Sequence, residues 1–277
     1  MRAHLVQLDI AWEDRDANFE RVRRLLEPVG VEPGDLVALP EMFDSGFSLN
    51  TNATADADGR TAAFLAALAA DYRCTVQGGR TVRSPNDDLA TNQMTCYAPP
   101  HTGDGPPTLL ADYAKIHPFS FGREPEKFRG GTQVVTYPWS AEDTTLTICP
   151  AVCYDLRFPE LFRLGLAAGA EVFAIGANWP RPRHAHWRAL AIARAIENQG
   201  YVLAVNRAGD DPHLSYAGGT IAVDPQGRVI GELGEEEDVL STPVSPTEIH
   251  SWRQAFGAWR DSRLMDGARS GLSDPRA

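Results

Sequence analysis

A corner between a strand and a helix near the middle of the chain constrains the fold most. Residues 144–148 are apolar and β-branched, as in a buried strand, and residues 158–168 carry apolar side chains at three- and four-residue intervals, as in an amphipathic helix. Cys153 lies in the turn between them. Unpaired backbone N–H groups and the positive end of a helix dipole meet at such a corner and favour a thiolate. The corner therefore predicts that Cys153 is a nucleophile at the mouth of a sheet.

Most cysteines in proteins are small buried hydrophobic residues, and this is the alternative for Cys153. The other three cysteines are interpreted in that way: Cys74, Cys96 and Cys149. Two further strand ends favour the catalytic interpretation for Cys153. Glu41 directly follows a predicted strand at residues 36–39, and Lys115 ends an apolar segment that begins at residue 111.

The order of elements predicts an α/β protein with mixed sheets. Strands alternate with helices in the first part of the chain and around Cys153, whereas hairpins are predicted within residues 75–97 and 219–232. Two mixed sheets covered by helices account for this order. No long linker rich in Pro, Gly or Ser divides the 277 residues, so we expect a single domain over residues 1–277, with a C-terminal tail from about residue 245.

Taken together, Glu41, Lys115 and Cys153 resemble the Glu-Lys-Cys triad of the nitrilase superfamily of carbon–nitrogen hydrolases, whose members carry it in this chain order. The resemblance runs from about Leu5 to Trp259 and implies a four-layer αββα sandwich of two mixed sheets. Four stretches are similar to the bacterial omega-amidase branch: residues 153–159 (CYDLRFP), 177–180 (ANWP), 193–199 (ARAIENQ) and 256–260 (FGAWR). That branch implies an amidase that converts 2-oxo dicarboxylic acid monoamides, such as 2-oxoglutaramate or 2-oxosuccinamate, to ammonia and the 2-oxo acid.

The resemblance also implies catalytic roles. Cys153 is expected to form a thioester with the acyl group, which divides one slow amide hydrolysis into two easier steps. Glu41 is expected to be the general base, with a pKa that burial raises towards neutrality. Lys115 and the backbone N–H of Tyr154 are expected to stabilise the oxyanion. An ion pair between Glu41 and Lys115 that only anchors two strand ends is the structural alternative.

Further residues are expected around this triad. Many superfamily members carry a second glutamate after the lysine, and Glu124 matches the branch pattern better than Glu126. Either one could instead be a solvated loop residue. Trp179 and Phe47 are candidates to line the substrate pocket and exclude water, although aromatic residues at such places are more often ordinary core.

A 2-oxo acid amide brings a carboxylate, which requires a cation in the site. Arg157 is the leading candidate because a guanidinium beside the nucleophile can bind a carboxylate through two hydrogen bonds. An ion pair with Asp155 or Glu160 is the structural alternative for Arg157. Arg181 is a weaker second candidate for the same carboxylate.

Composition excludes several other classes of partner. The chain has 26 Lys and Arg against 37 Asp and Glu, a net charge of −11, and no basic run that is typical of nucleic-acid binding. It shows neither a secretion signal nor an apolar run of the roughly 20 residues that a membrane span requires, so we expect a cytoplasmic, reduced protein without a membrane partner. His117 and His186 lack metal-ligand spacing, and no metal and no organic cofactor are expected.

The resemblance implies a homodimer that forms through the helices beginning near residues 158 and 184. Trp187, Leu190 and Ala191 lie on one predicted face of the second helix and support this interface. Three other functions stay open from the sequence. The same triad could act on N-carbamoyl compounds or deaminated peptides, or less plausibly on nitriles, and a superfamily member without activity could serve as an interaction protein.

Overall fold

The computed structural model describes residues 1–83, 87–100 and 105–263, and within them the chain forms two six-stranded sheets. The strands in chain order are β1 (Arg2–Gln7), β2 (Leu36–Ala38), β3 (Thr75–Val82), β4 (Thr91–Ala98), β5 (Thr108–Ala114), β6 (Tyr137–Ala141), β7 (Thr144–Val152), β8 (Val172–Ala177), β9 (Tyr201–Asn206), β10 (Ile221–Val223), β11 (Val229–Glu232) and β12 (Asp238–Pro243). The α-helices are α1 (Arg15–Leu26), α2 (Thr51–Thr54), α3 (Arg60–Asp71), α4 (Pro159–Ala167), α5 (His184–Asn198) and α6 (Pro246–Ala255). Short 3₁₀ helices lie at Ser120–Gly122, Glu124–Glu126, Cys153–Arg157, Arg181–Arg183 and Ala258–Asp261.

Both sheets combine parallel strands at the centre with antiparallel strands outside them. The first sheet has the order β12-β1-β2-β3-β4-β5 and the second has the order β11-β10-β9-β8-β7-β6. Strands β1, β2 and β3 are mutually parallel, as are β7, β8 and β9, because helices or longer segments connect them. Hairpins add the antiparallel pairs, including β3 with β4 and β6 with β7. The predicted mixed sheets are confirmed.

The two sheets pack face to face, and helices cover their outer faces. Alternation along β1 shows the arrangement, since Leu5 belongs to the core between the sheets and Val6 to the core under the helices. The inner core combines Met94 of the first sheet with Ile148 of the second. Helices α1 and α3 pack on the outer face of the first sheet. They contribute Val22 and Leu65 to the core under the helices, which also contains Val6.

Helices α4 and α5 cover the outer face of the second sheet. Phe162 of α4 contacts Phe173 of β8 with ring centroids 5.4 Å apart. Trp187 of α5 is fully buried and donates a hydrogen bond from its indole N–H to the carbonyl of Gly219 at 2.7 Å. The layers therefore follow the order αββα, as expected. Trp187 and Ala191 are buried inside their own chain, so they are not available to contact a second copy. The expectation that these two residues support a dimer interface is therefore wrong.

Several predicted boundaries need correction. Strand β6 begins at Tyr137 and continues to Ala141, because it pairs with β7 across a tight turn. Strand β7 extends beyond residue 148 to Val152 and so delivers Cys153 at its end. The helix after Cys153 is interrupted. A 3₁₀ turn ends at Arg157, and α4 then begins at Pro159, where a residue without an N–H fits the first helical turn.

Two elements near the end of the chain complete the fold. Strand β12 was not expected, and it pairs antiparallel with β1 at the edge of the first sheet. Helix α6 begins after Ser245, whose hydroxyl accepts a hydrogen bond from the N–H of Glu248. Among the helices within the described ranges, none combines the length and apolar character needed to cross a membrane.

Candidate active site

The three predicted catalytic residues meet where strands of the two sheets end. Glu41 follows β2, Lys115 directly follows β5, and Cys153 directly follows β7. Lys115 and Cys153 line the same cavity, whose volume is about 560 Å³. Glu41 is fully buried, and its Oε1 accepts a hydrogen bond from Lys115 Nζ at 2.8 Å. The face-to-face packing of the sheets thus brings together residues that are 74 and 38 positions apart in the sequence.

Glu124 completes a buried cluster of charges. Its Oε2 accepts a second hydrogen bond from Lys115 Nζ at 2.8 Å, and the carboxylate is fully buried. Glu126 instead lies on the surface and pairs with Arg123. The structure therefore brings Glu124, rather than Glu126, to the lysine.

Two asparagines that the sequence interpretation missed hold the carboxylate of Glu41. Asn92 on β4 donates from its amide nitrogen to Glu41 Oε1 at 2.7 Å and to Glu124 Oε1 at 2.9 Å. The backbone N–H of Asn178, directly after β8, donates to Glu41 Oε2 at 2.9 Å. The side-chain amide of Asn178 donates to the backbone carbonyl of Glu41 at 2.6 Å. The position of Asn178 just after a predicted strand was the one available signal.

Close packing of glycines fixes the backbone at Glu41. A Cβ atom added to Gly79 of β3 would lie 2.6 Å from the Cα of Glu41, and one added to Gly176 of β8 would lie 3.0 Å from its backbone nitrogen. No side chain fits at either distance. Only glycine at both positions allows the neighbouring strands to approach Glu41 this closely.

The charges of the cluster determine the protonation states. For Glu41, burial is the largest influence and acts to raise the pKa, but the charge of Lys115 and the hydrogen bonds from Lys115, Asn178 and Asn92 together hold it below its usual value. Burial likewise acts to lower the pKa of Lys115, but the charges of Glu124 and Glu41 outweigh it and raise that pKa. The expectation of a net raised pKa for Glu41 is therefore wrong in direction, because these charges and hydrogen bonds outweigh burial.

Cys153 is a neutral thiol in this environment. Burial is the main cause that raises its pKa, the negative charge of Glu41 adds to the effect, and the charge of Lys115 opposes it. The expectation of a thiolate stabilised by a helix dipole is also wrong, because only a short 3₁₀ turn follows Cys153 and α4 begins at Pro159. The resting site pairs a protonated thiol with an ionised carboxylate.

The turn at Cys153 is strained and firmly anchored. Cys153 has a backbone φ of +45°, a conformation that residues other than glycine rarely adopt. Asp155 holds the turn, since its carboxylate accepts hydrogen bonds from the N–H of Val152 at 3.0 Å and from the hydroxyl of Tyr113 at 2.7 Å. It also accepts one from the N–H of His117 at 3.0 Å. The segment around Lys115 and the cysteine turn are therefore braced by one buried carboxylate.

Arg157 lines the cavity and lies over the aromatic rings of two neighbours. Its guanidinium carbon lies 4.7 Å from the ring centre of Trp179 and 5.9 Å from that of Tyr154. Within the described residues it forms no ion pair, and its nearest polar contact is the ring of His186 at 3.4 Å. The structural alternative, an ion pair of Arg157 with Asp155 or Glu160, is not what the structure shows.

Arg181, the other candidate, does not line the cavity, whereas Arg183, which was not predicted, does. Arg181 forms a bidentate pair with Glu235 at 2.7 and 2.8 Å and is not among the residues that line the cavity. Arg183 lines the cavity, and its guanidinium carbon lies 5.3 Å from the ring centre of Phe119. As with Arg157, no carboxylate lies within ion-pair distance of Arg183 in the described part of the chain.

Aromatic side chains form a large part of the cavity wall. Phe47 and Trp179 line it as predicted, Tyr154 lines it as well, and the ring centre of Phe47 lies 5.6 Å from Lys115 Nζ. Further aromatic lining residues are Trp12, Phe119, Phe121, His213 and Tyr216. No cluster of three or more His, Cys, Asp or Glu side chains suited to a metal ion occurs in the ranges that the structure describes. A small organic molecule with a polar end could reach Cys153 through this apolar cavity.

Comparison with known proteins agrees with this geometry. The family model described as carbon-nitrogen hydrolase matches residues 2–254. The chain is 31% identical to a protein of Staphylococcus aureus named hydrolase in agr operon, over 95% of this chain and 98% of that protein. It is 30% identical to the 2-oxoglutaramate amidase of Bacillus subtilis, over 93% of this chain and 96% of that enzyme.

A solved structure shares the fold. The protein XC1258 of Xanthomonas campestris, described as a CN-hydrolase superfamily protein with an arsenic adduct in its active site, superposes with a TM-score of 0.83. The two sequences are 34% identical, and the match covers 95% of this chain and 97% of the other.

Proposed function

The chain belongs to the carbon–nitrogen hydrolase family, and we propose that it hydrolyses the terminal amide of 2-oxo dicarboxylic acid monoamides such as 2-oxoglutaramate and 2-oxosuccinamate. The observation that carries this proposal is one cavity with the thiol of Cys153 and the ammonium of Lys115 on its wall, together with the guanidinium groups of Arg157 and Arg183, which form no ion pair within the described residues. The name of the B. subtilis relative supports the choice of substrate.

The first half-reaction makes the thioester. Glu41 takes the proton from the Cys153 thiol while the sulfur adds to the amide carbon, so the S–H bond breaks as the C–S bond forms. The proton passes from Glu41 to the amide nitrogen, the C–N bond breaks, and ammonia leaves. Because burial raises the pKa of the Cys153 thiol, the resting sulfur keeps its proton, and Glu41 has to accept it in this half-reaction.

The second half-reaction consumes water. Glu41, ionised again after ammonia has left, takes a proton from a water molecule whose oxygen adds to the thioester carbon. The C–S bond then breaks, the carboxylic acid leaves, and the proton returns from Glu41 to the sulfur. The sum is one amide and one water converted to one acid and one ammonia.

Lys115 is suited to the oxyanion that forms in both steps. An ammonium has three hydrogens, and two of them are donated to Glu41 and Glu124. The third remains for the carbonyl oxygen of the substrate. Tyr154 is the second residue of the 3₁₀ turn, where a backbone N–H has no partner within the turn, and it supplies a second donor.

The carboxylate of the substrate is assigned to Arg157, with Arg183 as a second source of positive charge. Both arginines line the cavity, and aromatic rings hold both guanidinium groups while leaving their N–H groups available. A 2-oxo acid presents a carboxylate and a neighbouring carbonyl oxygen, and both are hydrogen-bond acceptors. Two guanidinium groups can satisfy them together.

Two wider features belong to the same proposal. We infer a homodimer that forms through the exposed sides of α4 and α5, where Leu164 and Ile196 are apolar and exposed. We also infer a reducing compartment such as the cytoplasm, because a free thiol nucleophile has to stay reduced.

Ammonia release over a panel of substrates tests the proposal. The panel contains 2-oxoglutaramate, 2-oxosuccinamate, glutamine, N-carbamoyl amino acids and simple nitriles. The highest kcat/KM is expected for the two 2-oxo amides, since they combine a terminal carboxamide with a carboxylate and a 2-oxo oxygen, whereas glutamine carries an ammonium, N-carbamoyl amino acids carry a ureido group, and simple nitriles have no carboxylate. A clear preference for N-carbamoyl amino acids or nitriles would contradict the assignment.

A further inference from the structure

The carboxylate of Glu41 is held unequally at its two oxygens. A carboxylate oxygen has two lone pairs in the plane of the group. Both lone pairs of Oε1 are used, by Lys115 Nζ at 2.8 Å and by the amide nitrogen of Asn92 at 2.7 Å. Oε2 accepts one good hydrogen bond, from the backbone N–H of Asn178 at 2.9 Å.

The remaining contact of Oε2 is weak. The amide nitrogen of Asn178 lies 3.4 Å from Oε2, but it makes a much shorter hydrogen bond of 2.6 Å to the backbone carbonyl of Glu41. A hydrogen bond of 3.4 Å contributes little compared with one of 2.6 Å. Oε2 is therefore the oxygen with a lone pair available for a proton.

The orientation of the Asn92 amide is fixed by its surroundings. Its nitrogen lies within 2.9 Å of one oxygen of Glu41 and one of Glu124, so a flipped amide would point its own oxygen at two carboxylates. Its oxygen, by contrast, is buried and has no hydrogen-bond partner within the described residues. The backbone carbonyl of Asn92 also accepts a hydrogen bond from the N–H of Lys115 at 2.8 Å, which keeps the two residues side by side.

We propose that Asn92 is a positioning residue that, together with Lys115, saturates Oε1 of Glu41 and so directs the proton of Cys153 to Oε2. This inference rests on the proposed function, because it deepens the role of Glu41 as general base. In the transfer, the S–H bond breaks, an O–H bond forms at Oε2, and the electron pair stays on sulfur. Asn92 does not line the cavity, so it acts through Glu41 and not on the substrate.

The inference makes a prediction about pH. Asn92 donates to the ionised carboxylate and is one of the causes that hold the pKa of Glu41 below its usual value. Removing that donor raises the pKa of Glu41, so the base becomes protonated at a higher pH. The acid limb of the kcat/KM profile should therefore lie at higher pH in a variant that lacks the amide than in the unmodified enzyme.

Three variants test it. Asn92→Ala removes both donors and should lower kcat by about 10- to 100-fold, the range for losing a hydrogen bond to a charged group, with KM nearly unchanged. Asn92→Ser retains one donor and should fall between Asn92→Ala and the unmodified enzyme in both kcat and the position of the acid limb. Gln93→Ala is the matched control, because Gln93 is the next residue on β4 and its amide donates to Thr91 rather than to the charged cluster. It should behave as the unmodified enzyme.

The rate at which iodoacetamide alkylates Cys153 gives a readout without substrate, since alkylation also requires the thiol proton to leave. Its pH dependence should move to higher pH in Asn92→Ala, as the acid limb does. If folded Asn92→Ala and Asn92→Ser keep the unmodified acid limb and alkylation profile, the proposal is overturned. If instead the unmodified enzyme releases ammonia from no amide, the proposed function fails, while the alkylation profiles still decide on Asn92.

Discussion

Arg157 and the aromatic rings beside it determine what the cavity can bind in addition to the scissile amide. A guanidinium that lies 4.7 Å from the ring of Trp179, without a carboxylate partner in the described residues, retains its hydrogen-bonding capacity for a ligand. The carboxylate that might have neutralised it, Asp155, is already occupied by Tyr113, His117 and Val152. A bound anion therefore gains a charge-assisted interaction that no protein group has to give up.

Replacing Arg157 by Ala should separate charged from uncharged substrates. We expect KM for 2-oxoglutaramate to rise by about 10- to 100-fold, because a charge-assisted pair is lost, and KM for an uncharged short amide such as propionamide to change little. Steady-state ammonia release measures both. Arg181→Ala is the control, since that arginine pairs with Glu235 outside the cavity. Equal losses on both substrates in a folded Arg157→Ala protein would make Arg157 a structural residue.

At the same scale, the sequence predicted the charged residues better than their protonation states. Glu41, Lys115 and Cys153 could be found because each follows an apolar strand, and Glu124 because the resemblance to the superfamily implies a second glutamate after the lysine. Asn92 could not be found, since a single polar residue within a strand has no pattern of its own. The pKa directions of Glu41 and Cys153 depend on which buried charges meet across the two sheets, and only the fold fixes that.

Among the elements, those formed by local sequence were predicted and those that depend on distant pairing were not. The strand before Cys153 and the helix after it follow from the periodicity of their own residues. Strand β12 pairs with β1, which lies near the other end of the chain, and the sequence of residues 238–243 does not indicate which strand it pairs with. The 3₁₀ turn between Cys153 and α4 was missed because its Asp155 accepts hydrogen bonds from Tyr113 of the distant strand β5 as well as from Val152 at the end of β7.

The proposed homodimer forms through helices α4 and α5. Leu164 of α4 is 42% exposed and Ile196 of α5 is 53% exposed, and an apolar surface of this kind is stabilised by pairing with its symmetric copy. Light scattering should give twice the chain mass for the unmodified protein and the single chain mass for the double variant Leu164→Glu with Ile196→Glu. Leu109→Glu, on the equally exposed edge of β5, should leave the dimer intact. A monomeric unmodified protein at micromolar concentration would rule out this assembly.

For the whole molecule, one core joins the two sheets. Inner-face residues of both sheets, such as Met94 and Ile148, belong to a single buried cluster, so neither sheet can lose its structure without exposing the inner face of the other. We therefore propose that the chain is one domain. Thermal unfolding followed by circular dichroism and by tryptophan fluorescence should give one transition with the same midpoint. Two separated transitions would divide the chain into independently folding parts.

The central claim is that amide hydrolysis passes through the sulfur of Cys153, and ammonia release from 2-oxoglutaramate by Cys153→Ala tests it most directly. The account predicts a loss of kcat/KM of at least about 10³-fold in a protein with an unchanged fold, because the covalent route is removed and only binding and oxyanion stabilisation remain. Cys149→Ala is the control, since that buried thiol lies four residues earlier on the same strand and does not line the cavity. It should stay within a few-fold of the unmodified enzyme. Ordinary activity in a folded Cys153→Ala protein would contradict the account.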